Sequence, residues 1–347
     1  MGRVLVTGGA GYLGGWCVVR LLQGGWDVRA TVRDLAREAE LRAAISTEVD
    51  PGERLDVVRA DLMSDAGWAE AAAGCDYVLH VASPFPATAP SDPEELIRPA
   101  REGTLRVLRA AVAAGVRRVV VTSSVAAIAY GHGAERYTAS ATPMTEADWT
   151  NIDGPHVSAY AKSKTLAERA AREFIAREGG ATELVTVNPS GIFGPTLGRD
   201  IGTSLIIVER LLKGSMPGLP RLGFQVVDVR DTADLHVTVM TAEVSAGGRY
   251  AATGEFLWFD EFAKILRQEV PDLAGKVPTR QVPDWVLHAY GLIDPQARAI
   301  RGELGRTRRV DAARARALGW SQRSARETLA DSARSLARLG VVPVWRA

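Results

Sequence analysis

The chain has 347 residues and only two cysteines, Cys17 and Cys75. They lie far apart and outside any Cys-x-x-Cys spacing, which excludes a disulfide framework and a thiolate metal site. Both sit in apolar context and read as small core residues. No run of about 18 uninterrupted apolar residues occurs, so no membrane-spanning helix is expected. Charge of one sign is missing too: 42 basic residues face 41 acidic ones, a net +1. A dedicated nucleic-acid binder carries a basic excess or stripe instead. His132, His156 and His236 lack metal-ligand spacing, so no metal is expected. No signal-like segment precedes Arg3-Val4-Leu5-Val6, which makes a reducing, cytoplasmic setting the expectation. Lysine is scarce: Lys162, Lys164, Lys213, Lys264 and Lys276 are the five among the 42 basic residues. In a chain that otherwise prefers arginine, a retained lysine can mark chemistry a guanidinium cannot perform. At least one of Lys162 and Lys164 is still expected on a solvated helix face.

What is present is ordinary globular material, 46% hydrophobic and 24% charged, long enough for about two domains. Apolar runs alternate with helical patterns. Strands are expected at Val4–Thr7, Asp27–Val32, Arg54–Ala60, Tyr77–Ala82, Arg118–Ser123 and Leu184–Asn188. Helices are expected at Tyr12–Gln23, Leu35–Ile45, Ala66–Ala73, Glu94–Ala114 and Ser158–Glu178. Near-continuous apolar strands separated by helices mean an α/β fold with a doubly wound parallel sheet of Rossmann type. That domain is expected over 1–188, with strand returns at Gln225–Val229 and Gly248–Ala252. Residues 189–224 and 253–347 are expected to form a smaller substrate-binding lobe. Its closing helices, Asp311–Leu318 and Ser324–Leu339, are arginine-rich and read as solvated faces.

Thr7-Gly8-Gly9-Ala10-Gly11-Tyr12-Leu13-Gly14 joins the first strand to the first helix. Gly8 permits a tight turn, Gly11 lets the backbone approach a pyrophosphate, and Gly14 lets helix and strand pack closely. The helix then offers free N–H groups and its positive end to phosphate. An NAD site usually places an acid at the end of the second strand, about 20 residues on. Here that end reads Thr31-Val32-Arg33-Asp34. Arg33 at this place can pair bidentately with a 2′-phosphate, and Arg37 can assist, so NADP(H) is the expected cofactor. The other reading leaves Arg33 solvated and gives the ribose to Asp34.

Tyr160-Ala161-Lys162-Ser163-Lys164 opens the helix after the fifth strand. Tyr160 and Lys164 are four apart and share a face, while Lys162 points elsewhere. A phenol titrating near 10 is a poor acid–base group at neutral pH. An ammonium beside it is expected to lower that value. The fifth strand ends in Thr122-Ser123-Ser124, at the carboxyl edge where ligands of such sheets bind. Ser124 is the favoured hydroxyl there, Ser123 its understudy, and a serine that merely caps the strand end the other reading.

TGGAGYLG, Asp61-Leu62, HVASPF (His80–Phe85), TSSVAA, YAKSK and NPSGIFGP (Asn188–Pro195) follow in this order. Together the chain resembles the extended short-chain dehydrogenase/reductases, more narrowly their dihydroflavonol-reductase-like branch of aldehyde and ketone reductases, over about residues 1–260. The resemblance implies a Ser124–Tyr160–Lys164 triad. It implies Asp61 and Leu62 beside the adenine, Val81, Ala82 and Ser83 under the cofactor, and Asn188, Pro189 and Ser190 near the nicotinamide. Gln225 matches a family substrate contact. Plant flavonoid reductases carry asparagine five residues after the catalytic serine; this chain has Ala129, which turns the expectation toward a smaller or more apolar carbonyl compound. Phe85, Ile128 and Tyr130 are candidate pocket walls. The activity implied is NADPH-dependent reduction of aldehydes or ketones to alcohols by a monomer or homodimer. The rivals are an NAD-retaining sugar-nucleotide epimerase or dehydratase, a hydroxysteroid-type dehydrogenase, and a non-enzymatic nucleotide sensor.

Overall fold

The computed structural model describes residues 2–83, 92–290, 292 and 301–345. Six strands form in turn: β1 (Arg3–Thr7), β2 (Asp27–Val32), β3 (Leu55–Arg59), β4 (Tyr77–His80), β5 (Arg118–Thr122) and β6 (Glu183–Pro189). Then come β7 (Gly191–Phe193), β8 (Gly223–Asp228), β9 (Arg249–Ala252) and β10 (Phe256–Trp258). β9 returns to the first six, giving a seven-stranded sheet ordered β3-β2-β1-β4-β5-β6-β9. Every pairing in it is parallel. The order reverses between β1 and β4, and ligands of such sheets bind at that switch point, beyond the carboxyl ends of the strands.

Alternation along each strand sends side chains to opposite faces. Val4 and Val6 join a core with α1 (Tyr12–Gln23), α2 (Glu38–Ile45) and α7 (Val229–Thr241). Leu5 and Val78 join the opposite core, with α3 (Trp68–Ala72), α4 (Glu94–Ala113) and α5 (Ala159–Glu178). Each fully buried leucine or valine here contributes about 1.5–3 kcal/mol. Arg118, at the start of β5, is buried among backbone. Its Nη1 donates to the carbonyls of Val239, Met240 and Ala242 at 2.9, 3.0 and 2.8 Å, closing the end of α7.

β10, β8 and β7 make a second, three-stranded sheet. It packs with α6 (Thr203–Lys213), α8 (Phe259–Glu269) and the helix Ala325–Arg338 around a third core. The Gly248–Ala252 run thus joins the large sheet as expected, but the Gln225–Val229 run does not. It pairs with β7 and β10 instead. Neither three-residue partner is long enough to show a period in sequence. The expected Leu35–Ile45 helix is in two parts: Asp34 caps a 3₁₀ turn at Leu35–Arg37, and α2 begins at Glu38.

Candidate active site

At the carboxyl end of β1 the chain turns through Gly8 with φ +69°, a conformation a Cβ disfavours. Thr31 holds the turn: its Oγ1 accepts from Gly8 N–H and its carbonyl from Gly9 N–H, both at 3.1 Å. A Cβ on Gly14 would fall 2.1 Å from the Gly8 carbonyl oxygen. Gly11 stands at the N-cap of α1; no side chain caps that end and no acid sits in its first turn. Tyr12 and Leu13 present only backbone here. The Tyr12 hydroxyl donates to Gly194 O at 2.9 Å, and Leu13 is buried in the core.

Across the switch point stands the end of β4. Ala82 N–H donates to Thr7 Oγ1 at 3.0 Å and to Thr7 O at 3.1 Å. Val81, Ala82 and Ser83 thereby lie alongside the glycine turn. Thr7 Oγ1 also pairs with His80 Nδ1 at 2.8 Å. Burial, and next the charge of Lys164, push the His80 imidazole down to about 3, so it is neutral. Leu62 fits against Gly103 of α4, and the Asp61 carboxylate accepts from Met63 N–H at 2.9 Å.

Arg33 is exposed just past β2, and no ion pair or hydrogen bond among the described residues ties it down. Asp34 is committed: its carboxylate accepts from Ala36 N–H at 3.0 Å. Arg37 is also engaged, with Glu40 at 3.2 Å and Asp200 at 3.6 Å.

Tyr160 and Lys164 lie at the start of α5, which Ser158 caps through Ala161 N–H at 3.2 Å. The Tyr160 side chain is hydrogen-bonded to Ser124. Lys164 Nζ donates to Thr122 O at 3.2 Å. Ser124 Oγ caps the turn that follows it, accepting from Ala126 N–H at 3.0 Å, and reaches Pro189 O at 3.4 Å. Ser123 faces the other way, its hydroxyl donating to Glu168 at 2.5 Å. Thr122 Oγ1 pairs with His236 of α7 at 2.8 Å. Burial pulls the Lys164 ammonium down to about 8, against the opposing charge of Glu168. The phenol departs from expectation. Burial pushes Tyr160 above its ordinary value, and the smaller opposing influence is its bond to Ser124 rather than the ammonium.

The expected residues around the triad take different places. Ile128 is fully buried with Met144 and Val310, so it packs beneath the site and does not line it. Tyr130 is nearer, close enough for its phenol to feel that of Tyr160, with the Arg308 guanidinium 4.3 Å from its ring centre. Asn188 is sealed, its amide donating to Ser124 O at 3.1 Å and Glu168 at 2.9 Å. The Gln225 amide bridges loops: it donates to Gly254 O and Val310 O, both at 3.1 Å, and accepts from Val310 N–H at 2.7 Å. Phe85 lies outside the described residues. Ser190 Oγ is shielded from solvent and has no hydrogen-bond partner among the described residues.

Glu168, His80 and Arg249 belong to this centre and were not foreseen. Glu168 had a signal, since it continues the Tyr160–Lys164 face by four residues. Arg249 had none; it meets Glu168 at 2.7 Å across 81 residues of sequence. No cluster able to hold a metal ion occurs among the described residues.

Sheet order and glycine turn define a dinucleotide-binding fold of the Rossmann type. The chain belongs to the NAD dependent epimerase/dehydratase family, whose profile matches residues 4–252. It is 36% identical to tetraketide alpha-pyrone reductase 1 of Arabidopsis thaliana over 278 residues, 78% of this chain and 82% of that protein. It is 34% identical to dihydroflavonol 4-reductase of Zea mays over 281 residues, 78% and 75% of the two chains. The crystal structure of yeast methylglyoxal/isovaleraldehyde reductase Gre2 complexed with NADPH is similar over 98% of this chain and all of that one, with a TM-score of 0.80 and 25% identity.

Proposed function

We propose that this protein is an NADPH-dependent reductase that converts aldehyde or ketone carbonyls to alcohols. The observation that carries the reading is the Tyr160 phenol, hydrogen-bonded to Ser124 beside the switch point, with Lys164 one helical turn along the same helix. A phenol so placed can give its proton to the alkoxide that reduction forms.

The residues present fit a dinucleotide. Gly8 and Gly14 keep the turn tight enough for phosphate to approach the α1 amides, and Ser190 Oγ is a buried hydroxyl still wanting a partner. On this reading Thr7, Gly11, Ala82, Ser83, Thr122, Pro189, Asp61 and Leu62 would border the bound dinucleotide. Arg33, without a partner among the described residues, is the cation offered to a 2′-phosphate. When bound, the dinucleotide supplies the hydride. Tyr160 gives its proton to the carbonyl oxygen, Ser124 orients that oxygen and stabilises its charge, and Lys164, held on Thr122 O, supplies positive charge one helical turn from Tyr160. The relatives named above are all reductases by name. Ala129 favours a carbonyl compound smaller or more apolar than a flavonoid. A monomer or homodimer in the cytoplasm belongs to the same reading.

The test is a panel of aldehydes, α-keto esters and aryl ketones, followed by NADPH absorbance with NADH as control. Tyr160→Phe is expected to lower kcat on the best substrate by about 10²–10⁴-fold. Unchanged turnover in that variant overturns the assignment. So does a purified protein that holds stoichiometric NAD and oxidises no NADPH.

A further inference from the structure

Behind the Ser124–Tyr160–Lys164 group lies a buried carboxylate that none of the steps above uses. Glu168 is one helical turn beyond Lys164, and its side chain has no exposed surface. Its Oε2 accepts from Ser123 Oγ at 2.5 Å and Asn188 Nδ2 at 2.9 Å. Its Oε1 accepts from Arg249 Nε at 2.7 Å, Thr186 Oγ1 at 3.1 Å and Arg172 Nε at 3.3 Å. The end of β5, two residues of β6 and one of β9 thus converge on one side chain of α5. Burial alone would push this carboxyl up; the charge of Arg249, the Ser123 hydroxyl and Arg172 outweigh it and hold the group below its ordinary value.

The contacts lead directly to the reacting groups. Ser123 sits between Thr122, whose carbonyl receives Lys164, and Ser124. Asn188 passes its second amide bond to the Ser124 carbonyl at 3.1 Å. The titratable and charged groups about Lys164 are few. Glu168 and Tyr160 share its helix, and His80 at the end of β4 is neutral. Arg249 of β9 and Arg172 of α5 stand behind Glu168. From α4, Ala100 and Thr104 line the cavity beside it and carry no charge.

We propose that Glu168 is a positioning residue of this active site: through Ser123 and Asn188 it fixes the strand end that carries Ser124, and it sets a buried carboxylate one helical turn from Lys164. The inference rests on the functional reading above. A merely structural Glu168 would change melting temperature but leave turnover per folded molecule and its pH dependence alone.

The experiment measures kcat, the KM for NADPH and the pH profile from pH 6 to 10 with the best carbonyl substrate. Wild type is expected to lose activity above a limb near pH 8, where Lys164 gives up its proton. Glu168→Gln removes the opposite charge one helical turn from Lys164 and is expected to move that limb down by about one pH unit. Its kcat at pH 7 is expected to fall at least about tenfold. Glu168→Asp keeps the charge, so the limb is expected to return while kcat stays low. Ser123→Ala is expected to cut kcat about five- to tenfold with the limb unmoved and the KM for NADPH unchanged. Wild-type kcat and limb in both Glu168→Gln and Ser123→Ala overturn the proposal. Should Glu168→Gln not fold, leaving Arg249 and Arg172 unpaired, Ser123→Ala removes no charge and decides alone by its kcat. Tyr160→Phe separates the two ideas: full activity there refutes the functional reading itself, whereas lost activity there with silent Glu168→Gln and Ser123→Ala refutes only the role of Glu168.

Discussion

Replacing Arg33 by alanine tests the cofactor preference at its most exposed point. Arg33 has no partner among the described residues, so the change breaks nothing already made in the protein. What it removes is a guanidinium able to form two charge-assisted hydrogen bonds to a 2′-phosphate. Such bonds contribute about 1.5–3 kcal/mol each, and solvent screening at an exposed site argues for the low end or less. A total of about 2–3 kcal/mol corresponds to a loss of about 30- to 150-fold in NADPH affinity. NADH lacks the phosphate, so its affinity is expected to stay within about threefold, because only the phosphate bonds are lost. Two neighbours serve as controls. Asp34→Ala removes the cap on Ala36 N–H, costs about 1 kcal/mol of local stability, and weakens both nucleotides alike. Arg37→Ala breaks two partly exposed pairs, with Glu40 and Asp200, each contributing about 0.2–1 kcal/mol. The assay is fluorescence titration of each variant with both nucleotides at two salt concentrations. The selective loss is expected to shrink at high salt. Equal losses of NADPH and NADH in Arg33→Ala, or a selective loss confined to Arg37→Ala, would refute the reasoning.

Gly14→Ala puts a methyl 2.1 Å from the Gly8 carbonyl oxygen, so the turn must open; about 1–3 kcal/mol of stability and most NADPH binding are expected to go, and a wild-type melting curve with wild-type titration would contradict this. Arg118→Met takes one donor from three carbonyls at the end of α7; Ser245 Oγ still reaches those of Val239 and Ala242, so that of Met240 bears the loss, and a cost of about 1–3 kcal/mol is expected in urea unfolding; an unchanged urea midpoint would show that the Arg118 bonds contribute nothing net. His80 and His236 are pushed down to about 3 and about 4, chiefly by burial. The unfolded chain therefore binds protons first as pH falls below about 6.5, and stability present above that pH drains away at up to about 1.4 kcal/mol per unit for each histidine. Between pH 6.5 and 5, above the carboxylate range, the urea midpoint should fall steadily; a flat midpoint there would mean neither imidazole is buried neutral.

How far sequence reached depends on whether a signal was local. The first six strands, α1 and the glycine turn are legible because apolar period, glycine spacing and caps lie within a few residues of each other. That Tyr160 and Lys164 open one helix, a turn apart, is legible for the same reason. The second sheet was not, since β7 and β10 are three residues each and owe their form to pairing with β8. The titration of Tyr160 was misjudged because spacing shows a neighbouring ammonium but not the depth of burial, and depth weighs more here. Ile128 was misplaced for a similar reason: an apolar residue after the site serine reads alike whether it faces a cavity or a core. The partners of Glu168 come from β5, β6 and β9, a convergence only the folded sheet creates.

The helix that opens toward the phosphates is also a hanger. Its Tyr12 hydroxyl holds Gly194 O at 2.9 Å, and its Trp16 indole holds Pro195 O at 2.8 Å. The stretch leaving β7 is therefore suspended from the first two turns of α1. Reshaping that stretch would tug on the helix whose N-terminus follows the glycine turn. An engineer who redraws that stretch should expect the glycine turn to feel the change.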